Sequence, residues 1–226
     1  MIKPIRCGGV MPKPTFENLA PAKRRAIIEI AVEEFAEHPY ALASISRIVE
    51  RAGIAKGSLY QYFAHKQDLF LYLVEYAAAA QLAILQELSL PEPESGFFAL
   101  LRRQMGISNQ VAAAAPHLAR LIARAYSDDL PFHDQVLQRL QQAGEDHLEG
   151  LIRRGIAAGE LDPDLDPELA ALMIKSLTGE IGQLITRRLG ISAAEAAADP
   201  SRLSGPEAER IYDQVIAVLQ RGMQNP

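Results

Sequence analysis

SISRIVERAGIAKGSLYQYFAHKQDL, residues 44–69, decides the fold, because it reads as two short helices broken by one glycine and then the start of a long third helix. Ser44 is a good N-cap, since its hydroxyl accepts from an amide of the first turn that has no other partner. Ile45, Ile48, Val49 and Ala52 follow the 3.6-residue period. Gly53 takes the left-handed backbone that ends a helix without a Cβ clash. The turn is Gly53, Ile54 and Ala55, and a second helix runs from Lys56 to about Phe63, with Leu59 and Phe63 one turn apart and pointing inward. Its opposite face carries Gly57, Ser58, Tyr60 and Gln61, small or polar groups suited to a major groove. The pattern is a helix-turn-helix.

These residues resemble the DNA-binding domain of the tetracycline-repressor (TetR) family. Its signature is Ala-Gly, a branched apolar residue, a serine-like cap, Lys-Gly-(Ser/Thr)-Leu-Tyr-x-Tyr-Phe and a nearby lysine. Here it stands as Ala52, Gly53, Ile54, Ala55, Lys56, Gly57, Ser58, Leu59, Tyr60, Gln61, Tyr62, Phe63 and Lys66. The detailed resemblance covers roughly Ala22 to Leu71, with a weaker echo at Gly159 to Ala171. Two positions depart from it: Ala55 replaces the serine cap of the recognition helix, and Val49 replaces an alanine. Loss of such a cap costs about 1 kcal/mol. The resemblance implies phosphate contacts from Lys56, Tyr60, Tyr62 and Lys66. It implies base-edge contacts from Ser46, Gly57, Ser58 and Gln61. It further implies a homodimeric repressor on pseudo-palindromic double-stranded operator DNA, released when a ligand in the body tilts a connecting helix and spreads the two heads. The other outcome consistent with the resemblance is a DNA-binding dimer whose body holds no small ligand.

At 226 residues, 49% hydrophobic and only 6% aromatic, the composition fits a helix-rich chain with a core large enough to need no disulfide, and the single Cys7 forms none within the chain. No uninterrupted apolar run reaches the ~20 residues of a membrane span, and the start MIKPIRCGGVMPKP lacks the apolar segment of a signal peptide. Cytoplasmic residence is expected, with Met11 an alternative start. The net charge of −5 hides an asymmetry. Residues 1–70 hold ten Lys/Arg against seven Asp/Glu, whereas the remainder holds thirteen against twenty-one. A basic head on an acidic body suits a protein that offers one end to DNA.

Outward from the motif, Pro21 opens a helix with an Ile27, Ile28, Ala31, Val32, Phe35 stripe that ends before Pro39. Lys66 to about Leu88 predicts a long connecting helix, and Pro91 to Ser95 breaks the pattern. Periodic segments recur at 97–111, 116–126, 131–158, 166–189 and 206–223. The expectation is an all-α protein of about nine helices. A flexible tail takes 1–20, the helix-turn-helix domain 21–67, and a ligand-binding and dimerisation domain 68–226. Asp166, Pro167 and Glu168 mark a strong helix start. Leu169, Leu172, Met173, Leu177, Ile181, Leu184 and Ile185, with Ile211, Val215, Val218 and Leu219, are the apolar candidates for a dimeric four-helix bundle. The Gly179 and Gly182 pair permits close helix approach.

Apolarity and helix position nominate Phe97, Phe98, Leu101, Met105, Leu118, Ile122, Tyr126, Phe132, His147, Leu148, Leu151 and Met173 for a pocket that takes a small apolar or amphipathic effector. Asp162, Asp164 and Asp166 mimic the start of a calcium loop, but Pro167 and Met173 stand where glycine and glutamate are required. His117, His133 and His147 match no metal spacing, so no metal or cofactor is expected. With no glycine-rich phosphate loop and no nucleophile elbow, nothing specific supports an enzyme.

Overall fold

The computed structural model describes residues 12–89, 96–127, 130–191 and 205–224. Cys7, Met11 and the 91–95 break lie outside them. Ten helices occur among the described residues, rather than about nine: α1 (Pro14–Glu17), α2 (Pro21–Glu37), α3 (Ile45–Arg51), α4 (Lys56–Tyr62), α5 (Lys66–Leu88), α6 (Phe97–Ala114), α7 (Pro116–Ser127), α8 (His133–Ala157), α9 (Pro167–Leu189) and α10 (Pro206–Met223). The extra helix is α1. Its Phe16 is fully buried, so the flexible tail expected through residue 20 already gives way to packed chain at Pro14. Proline at the first helical position and Glu17 in the first turn explain why these four residues turn.

Compactness divides the chain into Met1–Leu82 with Ala115–Ala143, and Ala83–Ala114 with Gly144–Pro226. The boundary expected at residues 67 and 68 falls at the start of α5, and both α5 and α8 contribute residues to each unit.

In the first unit, α2, α3, α4 and the N-terminal part of α5 enclose Ile27, Ile28, Ala31, Phe35, Ile48, Leu59, Leu69, Phe70 and Leu73. Although α5 is long and apolar enough to cross a membrane, its residues 69–74 are all buried in this core. Ser44 caps α3 by accepting from the Arg47 amide, and Gly53 has φ of +62°. At the end of α2, Glu34 is 2% exposed yet charged-partnered. Its carboxylate accepts from the Ser44 amide at 2.7 Å and from Arg47 Nε and Nη2 at 3.0 and 2.5 Å. Burial alone would raise this carboxyl, but the guanidinium, the amide and nearby His38 hold it below its ordinary value.

The same corner collects aromatic rings. Tyr40 meets Phe70 and Phe132 edge-on, with centroids 5.2 and 5.0 Å apart. Arg124 of α7 donates to the last carbonyls of α2, Ala36 at 2.8 Å and Glu37 at 3.1 Å. Arg139 of α8 pairs with the half-buried Glu75 of α5 at 2.5 Å.

The second unit is built on α6, α9, α10 and the C-terminal part of α8. Phe97, Leu101, Leu151, Ile152, Leu161, Ile174, Leu219 and Met223 form one cluster, and Met105, Ile181, Ile185, Ile211 and Tyr212 form another. Asp166 caps α9 through the Glu168 and Leu169 amides, and Gly190 closes it at φ of +66°. The dimer candidates therefore separate. Ile181, Ile185, Ile211 and Leu219 are at most 6% exposed and fill the protomer's own core, so they are corrected to core residues; Leu184 and Val215 are half-buried beside them. Leu169, Leu172, Met173, Leu177 and Val218 stay 41–66% exposed. Twin apolar faces on one helix look alike by periodicity, and only packing tells which is already covered.

The pocket candidates separate too. Phe97, Phe98, Leu101, Leu148 and Leu151 pack in one cluster and Met105 in its neighbour, whereas Leu118, Ile122 and Phe132 belong to the core around α2 and α5. Tyr126 and Met173 are exposed, 51% and 53%, and line no core. A cavity of about 250 Å³ lies elsewhere, between Ile28, Val32, Tyr76, Pro116 and Leu118, and shares only Leu118 with the candidates.

Arg47→Ala should destabilise the fold, since it removes the main partner of a buried carboxylate. The sign of the pH effect follows from the depressed pKa. Glu34 contributes stability above its ordinary value of 4.5 and loses it as pH falls through the lower folded value. In Arg47→Ala that acid-side loss should shrink, so the stability gap to wild type should narrow as pH falls below about 4.5, which urea unfolding from pH 3 to 7 measures.

Candidate nucleic-acid interface

Two helices build the exposed polar surface. α4 has only seven residues, and its N-cap Ala55 offers no side-chain hydrogen bond, as the sequence implies. Leu59 is 2% exposed and Phe63, just past the helix, 3%; these two anchor it to the core. With that face down, Lys56, Gly57, Tyr60 and Gln61 turn to solvent and Ser58 is half-buried at the edge. α3 adds Ser46, exposed, whose hydroxyl lies 3.5 Å from Lys56 Nζ. The first turn of α4 and the start of α3 thus present one surface.

Gly57 has no atom within 4 Å of the place a Cβ would occupy. Nothing in the protein's own packing requires glycine there, in a helix where glycine is the poorest ordinary residue. Space left open on an outward helix face is what close approach of another surface needs.

Two of the expected phosphate contacts are corrected. Tyr62 is 8% exposed, and its ring packs against Phe16 at 5.5 Å between centroids, so it serves the core. Lys66 is turned inward: its ammonium donates to the Tyr40 carbonyl and lies 4.6 Å over the Tyr40 ring. Burial lowers its pKa. Both corrections have the same kind of cause. Two aromatic groups, Phe16 with Tyr62 and Tyr40 with Phe70, capture side chains that a helical wheel places at the rim.

Four contributors were not foreseen: Lys13, Thr15, Phe16 and Arg47. Lys13 donates its backbone N–H to the Tyr62 carbonyl and its ammonium to the Tyr60 carbonyl, both at 2.9 Å. Thr15 Oγ1 donates to the Gln61 carbonyl at 2.5 Å, and Phe16 fills the floor beneath. The signal that was available is the Pro-Thr-Phe-Glu helix start. Arg47, which orients α3 through Glu34, carries no sequence signal beyond its charge.

The description "Bacterial regulatory proteins, tetR family" belongs to a family model that matches residues 27–73. The crystal structure of a TetR family transcriptional regulator from Chloroflexus aurantiacus J-10-FL shares 36% identity, covers 96% of this chain and 100% of its own, and superposes with a TM-score of 0.57. A fatty acid metabolism regulator protein of Bacillus subtilis (strain 168) is 28% identical over 181 residues, 73% of this chain and 82% of the relative. The transcriptional regulator FadR of Bacillus subtilis, solved in complex with stearoyl-CoA, shares the fold at 21% identity and a TM-score of 0.60, covering 88% and 98% of the two chains.

Gly57→Ala separates folding from binding. It should raise stability by up to ~1 kcal/mol through helix propensity while weakening DNA binding about tenfold. Calorimetric melting and fluorescence anisotropy on duplex DNA report the two effects. Lys66→Ala should instead lower the melting temperature and leave the salt slope of DNA binding unchanged, whereas loss of a phosphate contact flattens it by about one unit.

Proposed function

Because the chain belongs to the tetR family of bacterial regulatory proteins, DNA-binding transcriptional regulators, we propose that it is a homodimeric repressor that leaves its operator when an amphipathic effector binds. The observation that carries the DNA reading is the outward face of α4 around Gly57, polar, unobstructed and flanked by Lys56 and Ser46. Ser58, Tyr60 and Gln61 complete the proposed contact set. One head of this size reaches few base pairs, so specificity calls for two heads about 34–36 Å apart on one face of a pseudo-palindrome.

Dimerisation is supported by the stripe Leu169, Leu172, Met173 and Leu177 on α9, with Val218 on α10. These positions recur at helical spacing on a face of α9 beside the one that buries Ala170, Ile174 and Ile185. A contiguous apolar stripe on a helix whose other face is already packed marks an interaction surface.

The effector class rests on the relatives: a fatty acid metabolism regulator among those of similar sequence, and stearoyl-CoA in the FadR structure. Within the second unit, Phe97, Phe98, Leu101, Leu148 and Leu151 offer apolar contacts. His147 stands near Gln86 and Gln104, at 3.4 and 3.5 Å. Burial, aided by Arg154, lowers the pKa of His147, which favours its neutral imidazole. A long-chain acyl thioester, apolar along most of its length with a polar head, is therefore the effector to test first. In the first unit, Arg124 and Phe132 tie α7 and the start of α8 to the end of α2 and to Tyr40, a route by which a shift of these helices reaches the head. The regulator would act in the cytoplasm.

Selection from a random duplex pool tests the DNA reading: an inverted repeat with half-sites one helical turn or a multiple apart is expected, and no enrichment would refute it. Leu172→Glu with Leu177→Glu should give monomers of unchanged helical content that lose the enriched sequence; sedimentation of a wild-type monomer at micromolar concentration would overturn the dimer. Stearoyl-CoA should weaken operator binding about a hundredfold, a coupling of about 2.7 kcal/mol, and operator should weaken stearoyl-CoA binding by the same factor. Equal affinities with and without operator would favour a body that holds no inducer.

A further inference from the structure

We propose that residues 13–16, which precede the family domain, are a positioning latch that sets the recognition helix for sequence-specific DNA binding; this rests on the DNA-binding reading above. An α-helix leaves its last four carbonyls without intrahelical donors. In α4 those belong to Leu59, Tyr60, Gln61 and Tyr62. Leu59 is satisfied by the Phe63 amide at 2.9 Å. The other three each receive a donor from a segment 46 to 49 residues away: Tyr60 from Lys13 Nζ, Gln61 from Thr15 Oγ1 and Tyr62 from the Lys13 amide. The segment is an external C-cap.

Such a cap matters more here than in a longer helix. α4 has seven residues and no side-chain N-cap, and helices this short have little stability of their own. The latch is also anchored firmly. Phe16 is 0% exposed, with ring centroids 5.5 Å from Tyr62, 4.9 Å from Phe63 and 5.7 Å from Tyr72 of α5. α1 therefore fixes the C-terminal end of α4 to the long helix. The residues it holds, Tyr60 and Gln61, are the ones whose side chains face outward for recognition. A base-reading side chain works only when its backbone sits within a fraction of an ångström, so a loosened helix end loses specificity before it loses charge.

The test uses the full chain, with Lys13→Ala plus Thr15→Val, which keeps Phe16, and Lys13→Arg plus Thr15→Ser as the conservative control. Amide exchange in the DNA-free protein should accelerate about tenfold at Tyr60–Phe63 and stay unchanged at Ile27–Phe35 in α2. Affinity for the enriched sequence should fall about tenfold and affinity for random duplex less than twofold, at one salt concentration. The conservative pair should restore both. Unchanged exchange overturns the latch whether or not the protein binds DNA. Faster exchange with full specificity reduces it to a structural cap and overturns the positioning role. Equal losses on both DNAs would make Lys13 a plain phosphate contact, which also overturns it. A wild type that enriches no sequence refutes the DNA reading instead, and the exchange measurement still decides the cap.

Discussion

One buried carboxylate organises the head. Glu34 sits in the last turn of α2, 2% exposed and so shielded from solvent, and it persists as an ion because three donors converge on it. Each donor comes from the next element. The Ser44 amide fixes where α3 begins, and Arg47 fixes its rotation, because a guanidinium held through both Nε and Nη2 has no freedom left. Arg47 Nη2 also donates to the Leu42 carbonyl, which pins the turn between the two helices. Through α3 the carboxylate sets the approach of α4. A hydrophobic stripe alone would hold α2 near α3; the charged cluster gives the pair one register.

Next to it, Tyr40 converts that register into a connection with the helices that follow. Its ring packs with Phe35, Phe70 and Phe132, its carbonyl accepts from Lys66, and the pKa of its hydroxyl is shifted upward by burial and by Asp68. Arg124 supplies donors to the carbonyls just before it. Carbonyls at a helix end must be satisfied by something, and here the something lies on α7. The end of α2 is thus both the base of the DNA-facing motif and the landing site of later helices.

How much of this is legible in the sequence depends on the physics involved. Local rules carried far: the Ser44 cap, the left-handed Gly53, the Asp166-Pro167 helix start and the inward stripe of α2 all follow from backbone chemistry within a few residues, and the structure agrees with each. The outer face of α4 was legible for the same reason. What failed needed distance. Lys66 and Tyr62 look like rim residues on their own helices, and become interior ones only because Tyr40 and Phe16 arrive from 26 and 46 residues away. Ile181 and Ile185 are indistinguishable by pattern from Leu172 and Leu177 on α9, as Ile211 and Leu219 are from Val218 on α10, since each helix carries apolar residues on both covered and uncovered faces. Apolarity says that a residue is buried somewhere, without saying against what.

The same asymmetry explains why the recognition helix has so little stability within itself. Its outer residues face solvent, and no side chain of its own caps its N-terminal end. The N-terminal end, at Ala55, is left to solvent or to a DNA phosphate, which the positive end of a helix attracts. The C-terminal end cannot be left to DNA in the same way, because its carbonyls repel phosphate oxygens. A protein donor is the remaining solution, and here it comes from Lys13 and Thr15, outside the motif. Segment 13–17, with a buried phenylalanine and three donor groups, thus closes the end of a helix that lacks side-chain caps of its own.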